Sequence, residues 1–357
     1  MKRSLLVLAL ATPGCLDLPE PNQFGAHVIV AADADLELCG GTLTHMDTFV
    51  SRLSHEFGLD PPTGDDRFLY HWLVDDFHAR SLCPKQSHAC ARGDNSFNPD
   101  APIDHELVHN VGFALGDPRP VFVEGLAVAF EGLADEDEDA PASNIDVRGL
   151  LGLQTSVQLI EVHGYSTAGG FVSFLVQRHG LDAFLRMYAA VDRRESERGI
   201  DTVFREEFGE SLDDSIADFE AMPPCSEASR DAKLLECSAP ALAWEGDQLT
   251  LHRSIACDQD DAVGPYAGDS VVVLRTFDVP EAGDYVVEVF GDVAENRVNL
   301  DPCTICGGPG ATIRAAEPPR TLALAAGRHS LRLHGSASAR TSLGLRIQRA
   351  GSPASGP

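Results

Sequence analysis

The sequence predicts an α+β fold in which a mainly helical domain with a small N-terminal sheet is followed by a C-terminal β-sandwich. Over residues 42–222 apolar side chains recur at helical spacing, and short aliphatic and aromatic runs near the start indicate strands. Beyond residue 240, segments of strand-like pattern recur with Gly and Pro between them. That second pattern is typical of two packed antiparallel sheets.

Length and charge restrict the class of protein. With 357 residues, of which 43% are hydrophobic, the chain can bury a sizeable core, and we expect two domains rather than one. Its 55 acidic and 27 basic side chains give a formal net charge of -28. Nucleic acids and anionic membrane surfaces favour a basic face, so the charge argues against both as partners.

Residues 1–14 have the pattern of an export signal, with a basic start and an apolar run over 5–11. The alternative is a buried N-terminal strand or helix. Because small residues lead to Cys15, the segment resembles a bacterial lipoprotein signal, although Thr12 and Pro13 stand where such signals usually carry Leu. We therefore expect an exported bacterial protein, either lipid-anchored at Cys15 in the cell envelope or released by ordinary signal cleavage.

The elements that follow the signal can be taken in order. Residues 15–25 are a short Pro-containing stretch, for which we predict a tether. Strands are predicted at 26–35 and 67–76 because both alternate or concentrate apolar residues. Apolar residues at helical spacing predict an amphipathic helix over 42–58, which Gly58 ends.

The segment IDHELVHNVGF places His105 and His109 four residues apart, with Glu106 directly after the first. Asp100 is a good N-cap and Pro102 suits a first helical turn, so we predict a helix that begins just ahead of His105. Residues i and i+4 of a helix share one face. The two imidazoles can therefore converge on a single ion.

A second, mostly apolar helix carries the candidate third ligand. Pro118 and Pro120 mark a chain reversal, after which VFVEGLAVAFEGLA contains Glu124 and Glu131. A catalytic zinc takes three protein ligands and leaves a fourth position for water. Because the reversal can bring this helix back beside the first, Glu124 is the candidate third ligand.

Two further segments invite a metal-binding interpretation that the spacing does not support. The acidic run at 135–139 lacks the ligand spacing of an EF-hand loop and predicts a solvated loop. Cys303 and Cys306 form a CxxC pair, but no second pair follows at zinc-finger spacing.

The cysteines instead predict disulfides in an oxidising compartment. Nine are present, and setting Cys15 aside for lipid leaves an even number. Connectivity does not follow from sequence, but short separations favour Cys83 with Cys90 and Cys225 with Cys237, and we expect Cys257 to pair within the C-terminal part.

Later segments complete the two domains. Helices are predicted over 165–191, divided at Gly180, and over 201–209 and 212–222. We expect a linker at 223–239 and the sandwich at 240–350. Five sandwich strands are predicted, at 269–279, 283–291, 320–327, 328–335 and 341–350.

The HELVH segment followed by FVEGLAVAFE resembles the gluzincin metallopeptidases of the aminopeptidase N-like kind, whose second helix carries a Glu-Gly-hydrophobic-Ala motif. Residues 124–127 match that motif. Over 26–222 the resemblance implies a zincin-like domain that binds Zn²⁺ through His105, His109 and Glu124. It also implies peptide or protein substrates and Glu106 as the base that accepts a proton from the zinc-bound water.

The resemblance implies two further roles. Tyr165, at the start of YSTAGGFVSFL, matches the tyrosine that stabilises the transition state, with His163 as a competitor. Glu131 either orients a ligand histidine or is exposed. Phe122 and Val123 replace the residues that commonly precede the third ligand. The Gly-x-Met-Glu-Asn motif of aminopeptidases is absent, so we do not infer aminopeptidase activity.

We therefore predict an exported, lipid-anchored zinc peptidase that is a monomer, has no nucleic-acid partner and meets the membrane only through Cys15. One alternative is a catalytically inactive cell-surface binding lipoprotein that recognises its partner through the sandwich. Another is a structural envelope lipoprotein without stoichiometric zinc. In that case His105 and His109 are buried core histidines, Glu124 is a surface charge and Tyr165 fills the core.

Overall fold

The structure is a computed structural model that describes residues 17–133, 146–222, 232–266, 269–306 and 310–351. Within these ranges, helices and three sheets form the predicted α+β fold. The expected signal over 1–14, Cys15, the acidic run at 135–139 and Cys225 lie outside the described residues. No helix in the described ranges has the length and apolarity that crossing a membrane requires.

The first sheet has five strands in the order β1-β2-β3-β5-β4. The central strands β2, β3 and β5 are parallel, and β1 and β4 are antiparallel edge strands. The predicted strands at 26–35 and 67–76 are confirmed as β2 and β3. The bounds are β1 Gln23–Phe24, β2 Val28–Ala32, β3 Phe68–Trp72, β4 Cys90–Arg92 and β5 Asn95–Asn98.

Ten helices within the described ranges cover this sheet and extend beyond it. Gly180 separates α7 from α8, as the sequence predicts, because it adopts a positive φ of 84° that favours glycine. The bounds are α1 Thr42–Glu56, α2 Phe77–Arg80, α3 Asp104–Gly112, α4 Pro120–Phe130, α5 Val147–Leu151, α6 Ser156–Glu161, α7 Tyr165–His179, α8 Leu181–Ala190, α9 Glu197–Glu207 and α10 Leu212–Glu220.

Two details of the N-terminal part differ from the sequence predictions. Helix α3 begins at Asp104, just ahead of His105 as predicted, but its N-cap is Ile103 and not Asp100. The Tyr70 hydroxyl donates to the Asp100 carbonyl at 2.6 Å and accepts from the Ile103 N–H at 3.0 Å, which holds this segment against β3. The described part of the expected tether is not free either, because 23–24 pair with β2 as strand β1.

The C-terminal part is the predicted pair of antiparallel sheets, with strand orders β11-β10-β13-β8-β7 and β12-β9-β14-β6. Their facing residues form one buried apolar cluster, which includes Val273, Val287 and Leu345. All five predicted strands are present. The bounds are β6 Gln248–Ile255, β7 Val263–Tyr266, β8 Ser270–Val279, β9 Gly283–Gly291, β10 Arg297–Pro302, β11 Ala311–Arg314, β12 Arg320–Leu324, β13 Gly327–Ser336 and β14 Thr341–Arg349.

The sandwich is fixed to the first part at the start of α1. Cys39 forms a disulfide with Cys257, and the Thr42 hydroxyl donates to the Gly264 carbonyl at 2.6 Å. A Cβ at Gly41 would lie 2.7 Å from the Asp260 carbonyl oxygen, so these two segments of the backbone approach closely there. Tyr266 adds a second junction, because its hydroxyl donates to the Leu133 carbonyl at 2.6 Å.

The disulfides correct part of the predicted pairing. Cys83 pairs with Cys90, as short separation suggests. Cys237 pairs with Cys303 and not with Cys225, and Cys257 reaches back across 218 residues to Cys39. Both errors arise because separation along the chain says little about cysteines that the fold brings together.

Removing the Cys39–Cys257 bridge with a double alanine variant is expected to lower the free energy of unfolding by about 3–5 kcal/mol, because it frees a long loop in the unfolded chain. Calorimetry under non-reducing conditions measures the melting temperature. A double alanine variant at Cys83 and Cys90, which lie seven residues apart, is the control and should lose less. Equal melting temperatures for both variants would contradict this expectation.

Candidate metal centre

Helix α3 is held at both ends. Asp104, the residue before His105, is buried, and its Oδ2 lies 2.9 Å from Nε2 of His45 on α1. Near the other end, the Asn110 side-chain amide donates to the Gly93 carbonyl in the β4–β5 turn at 2.7 Å. These contacts orient the face of α3 that carries His105 and His109.

Helix α4 approaches α7 closely because glycines stand at their crossing. A Cβ at Gly125 would lie 2.6 Å from the Ala168 carbonyl oxygen, and one at Gly169 would lie 2.3 Å from Val128. Packing therefore explains why a glycine, Gly125, follows Glu124 in the sequence. The glycine lets α7 approach α4 at the residue next to Glu124.

Three side-chain atoms from α3 and α4 converge on one point. Nε2 of His105 lies 3.2 Å from Nε2 of His109, and Glu124 Oε2 lies 3.3 Å and 3.1 Å from these two nitrogens. The predicted reversal after α3 thus brings Glu124 to the two histidines.

These separations fit a tetrahedral metal ion. Ligand atoms about 2.0–2.1 Å from a tetrahedral ion are about 3.3 Å from one another, and the two-histidine, one-carboxylate set is one that zinc accepts. The alternative of two core histidines and a surface glutamate does not describe these residues. Glu124 is 5% exposed and is therefore no surface charge, and both imidazoles face this carboxylate instead of core backbone.

The electrostatics of the cluster favour an ionised carboxylate at its centre. Burial alone would raise the pKa of Glu124, but the charge of His109 and hydrogen bonds from both histidines hold that pKa well below its usual range. Burial likewise opposes a charge on His105, yet contacts with Glu124 and Glu131 raise the pKa of His105 well above its usual range. The carboxylates therefore draw positive charge to this point.

Glu131 follows the last residue of α4 and contacts the first histidine from behind. Its Oε2 lies 2.6 Å from Nδ1 of His105, and Glu131 is buried, so the exposed alternative is wrong. An Nδ1–H that donates to Glu131 leaves the lone pair of Nε2 directed at the point that Glu124 and His109 share.

Glu106 is a buried carboxyl without a hydrogen-bond partner among the described residues. It is 6% exposed, and its Oε2 is shielded from solvent and unpaired. Burial raises the pKa of Glu106, although His109 and His105 oppose that shift. An unpaired carboxyl with a raised pKa beside two histidines is suited to accept and return a proton.

Tyr165 is the first residue of α7, and its ring centroid is 5.8 Å from that of His105. Burial and the nearby Glu124 and Glu106 carboxyls raise the pKa of Tyr165, so its hydroxyl stays protonated and can donate. His163, its competitor, is exposed and does not line the cavity described next. Its left-handed φ of 52° places it in the turn before α7.

The candidate ligands, Glu106 and Tyr165 line one cavity of about 790 Å³. The edge strand β4 and the loop closed by the Cys83–Cys90 disulfide form one wall. The lining also includes Asp117, Tyr188 and Arg193, none of which the sequence singled out. Tyr188 lies in a helix of ordinary amphipathic pattern and Arg193 in a polar turn, so no local signal marked them.

Comparison with known proteins adds no assignment to this site. No protein-family model matches the chain, and a search of curated proteins finds no match. The function must therefore be argued from the side chains themselves.

Proposed function

We propose that this protein is a zinc-dependent peptidase whose metal is held by His105, His109 and Glu124. The observation that carries the proposal is the set of 3.1–3.3 Å separations among their three ligand atoms. The unpaired Glu106 carboxyl beside this set favours catalysis over a purely structural metal site. The resemblance to gluzincin peptidases supports the same assignment.

The roles follow from position. His105, His109 and Glu124 would hold the zinc ion, which would supply a Lewis acid that lowers the pKa of a bound water towards about 7 and polarises a carbonyl. Glu106 accepts a proton from the attacking water and returns it to the leaving amine. Tyr165 donates a hydrogen bond to the oxygen that gains charge on the scissile carbonyl. Glu131 keeps the His105 ring in the tautomer and orientation that binding requires.

A peptide is the substrate that the cavity wall favours. Strand β4 pairs only with β5 within the described sheet, so its other edge carries unpaired backbone groups beside the cavity. An extended peptide can add to such an edge through main-chain hydrogen bonds. The export, the lipid anchor at Cys15 and the monomeric state belong to the same proposal.

Metal removal tests the proposed activity. We expect purified protein to cleave a denatured casein digest, to lose cleavage with 1,10-phenanthroline and to regain it with stoichiometric zinc, because Glu106 has no activated water without the ion. Mass spectrometry identifies the new termini. Stoichiometric zinc without cleavage would favour the binding lipoprotein, and absence of zinc would favour a structural lipoprotein.

Replacing Tyr165 with Phe is expected to lower kcat by about 10²–10³-fold with little change in KM, because one donor to the developing charge is lost. The ring contact with His105 is retained, so zinc content should not change. Tyr285→Phe is the matched control, because Tyr285 is a buried tyrosine of the sandwich core. An unchanged kcat in Tyr165→Phe would remove Tyr165 from the mechanism.

A further inference from the structure

The cavity that contains the candidate ligands is also lined by Asp117, Tyr188 and Arg193, which we call its polar end. We propose that Arg193 and Tyr188 form a subsite for a carboxylate group of the substrate. The proposal rests on the peptidase function and specifies its substrate class, which is peptides with a carboxylate on the arm that reaches this end.

Arg193 follows α8 and is held in position by Asp117. Its Nε donates to Asp117 Oδ2 at 2.9 Å, and its Nη2 donates to Oδ1 of the same carboxylate. Its Nη1 makes no hydrogen bond within the described residues, and the side chain is 40% exposed. A guanidinium that is fixed on one side and open on the other presents preoriented donors for a carboxylate.

Tyr188 supplies a second donor. The residue is 2% exposed, because its ring packs against Phe184 in the core, yet it lines the cavity. No hydrogen bond involves its hydroxyl within the described ranges. Because Tyr188 lines the cavity, its hydroxyl can donate to a ligand oxygen there. Burial also raises the pKa of Tyr188, so the hydroxyl remains protonated and donates.

The helix that carries the histidines leaves room for this contact. Gly112, three residues after His109, ends α3 and lines the cavity, and a Cβ there would lie 4.0 Å from the Tyr188 hydroxyl. Tyr188 and Arg193 line the same cavity as Glu124. A peptide at the candidate metal centre can therefore extend one arm to them.

Charge supports a carboxylate over a neutral group. The chain has a formal net charge of -28, yet two arginines line this cavity, Arg92 on β4 and Arg193 after α8. Asp117, the only acid at the polar end among the lining residues, is already paired with Arg193. The cavity therefore offers cationic donors within an acidic surface, an arrangement that selects anionic substrate groups.

Matched peptides test the subsite. One cleavable sequence is made with a C terminus one to three residues beyond the scissile bond, either as a free acid or as an amide. In a second pair, the segment beyond the scissile bond contains either Glu or Gln. We expect the carboxylate forms to have about 10-fold higher kcat/KM than their neutral counterparts, as expected for charge-assisted hydrogen bonds to a partly exposed guanidinium.

Arg193→Gln should remove this preference, and Arg193→Lys should restore part of it. Tyr188→Phe should weaken the preference by about fivefold, as the loss of one hydrogen bond implies. Arg186→Gln is the matched control, because Arg186 also lies on α8 but pairs with Glu207 outside the cavity. Zinc content is measured for every variant.

Binding separates this inference from the peptidase proposal. Calorimetry with zinc-loaded Glu106→Gln protein should show tighter binding of acid than of amide peptides, and the Arg193→Gln exchange should abolish the difference. A preference for the free C terminus or for the acidic side chain supports the subsite. Which of the two is preferred shows whether the bound carboxylate is that of the C terminus or that of a Glu side chain. Equal binding of all peptide forms would overturn the subsite, even if the protein cleaves peptides. Selective binding of the acid forms without any cleavage would overturn only the peptidase function.

Discussion

Replacing Glu106 with Gln is expected to lower kcat for peptide cleavage by about 10²–10⁴-fold while zinc remains bound. The amide has the shape of the carboxyl but cannot accept a proton. Glu106 forms no hydrogen bond within the described residues, so the exchange breaks no contact that holds the fold. Steady-state kinetics and elemental analysis of the same preparation measure both quantities.

Glu161→Gln is the matched control for Glu106. Glu161 ends α6, is exposed and does not line the cavity, so its exchange should leave both kcat and zinc content unchanged. Full activity in Glu106→Gln would show that another group activates the water. Loss of zinc from that variant would instead make Glu106 part of the metal site.

Replacing Glu124 with Ala is expected to weaken zinc binding by more than about 100-fold, beyond the 10- to 100-fold that loss of an outer partner typically costs. The variant leaves only two imidazoles at the centre and removes the negative charge that attracts a cation to it. Competition with a chromophoric chelator measures the affinity. Circular dichroism checks that α4 is intact, since alanine favours a helix.

The Glu131→Gln variant tests whether Glu131 orients His105 and is not itself a metal ligand. Both acids contact His105, but Glu131 meets Nδ1 while Glu124 faces Nε2. We therefore expect a loss of about 10- to 100-fold in zinc affinity for Glu131→Gln, which is smaller than for Glu124→Ala. The reverse order would exchange the two roles.

The candidate site was accessible to sequence analysis because its spacing is local. Two histidines one helical turn apart share a face by geometry, and the reversal marked by Pro118 and Pro120 returns α4 to that face. The same local reasoning placed the start of α3 correctly just ahead of His105 but failed at its N-cap. There the Tyr70 hydroxyl engages the Asp100 carbonyl and the Ile103 N–H, and no pattern around residue 100 reveals a contact from β3.

Long-range features were not accessible in the same way. The Cys39–Cys257 bridge joins residues 218 apart, and the Thr42 contact with Gly264 depends on where the sandwich docks. Short strands were also missed. Strand β7 contains Gly264 and Pro265, which usually indicate a turn, yet it pairs with β8 at the sheet edge, where proline is tolerated.

The polar end of the cavity illustrates a third limit. Arg193 and Tyr188 become a pair only because the end of α8 faces the cavity that α3 and α4 border. In the sequence, Tyr188 is one apolar position of an amphipathic helix and Arg193 is one charge in a polar turn. Their proposed role depends on donor groups that make no hydrogen bond to described residues, and only the packed structure reveals these.

The position of a bound metal ion can be measured by anomalous diffraction at the zinc edge from crystals of the zinc-loaded protein. We expect one peak about 2.0–2.2 Å from Nε2 of His105, Nε2 of His109 and a carboxylate oxygen of Glu124. A peak elsewhere in the chain, or none at these three atoms, would contradict the proposed metal centre.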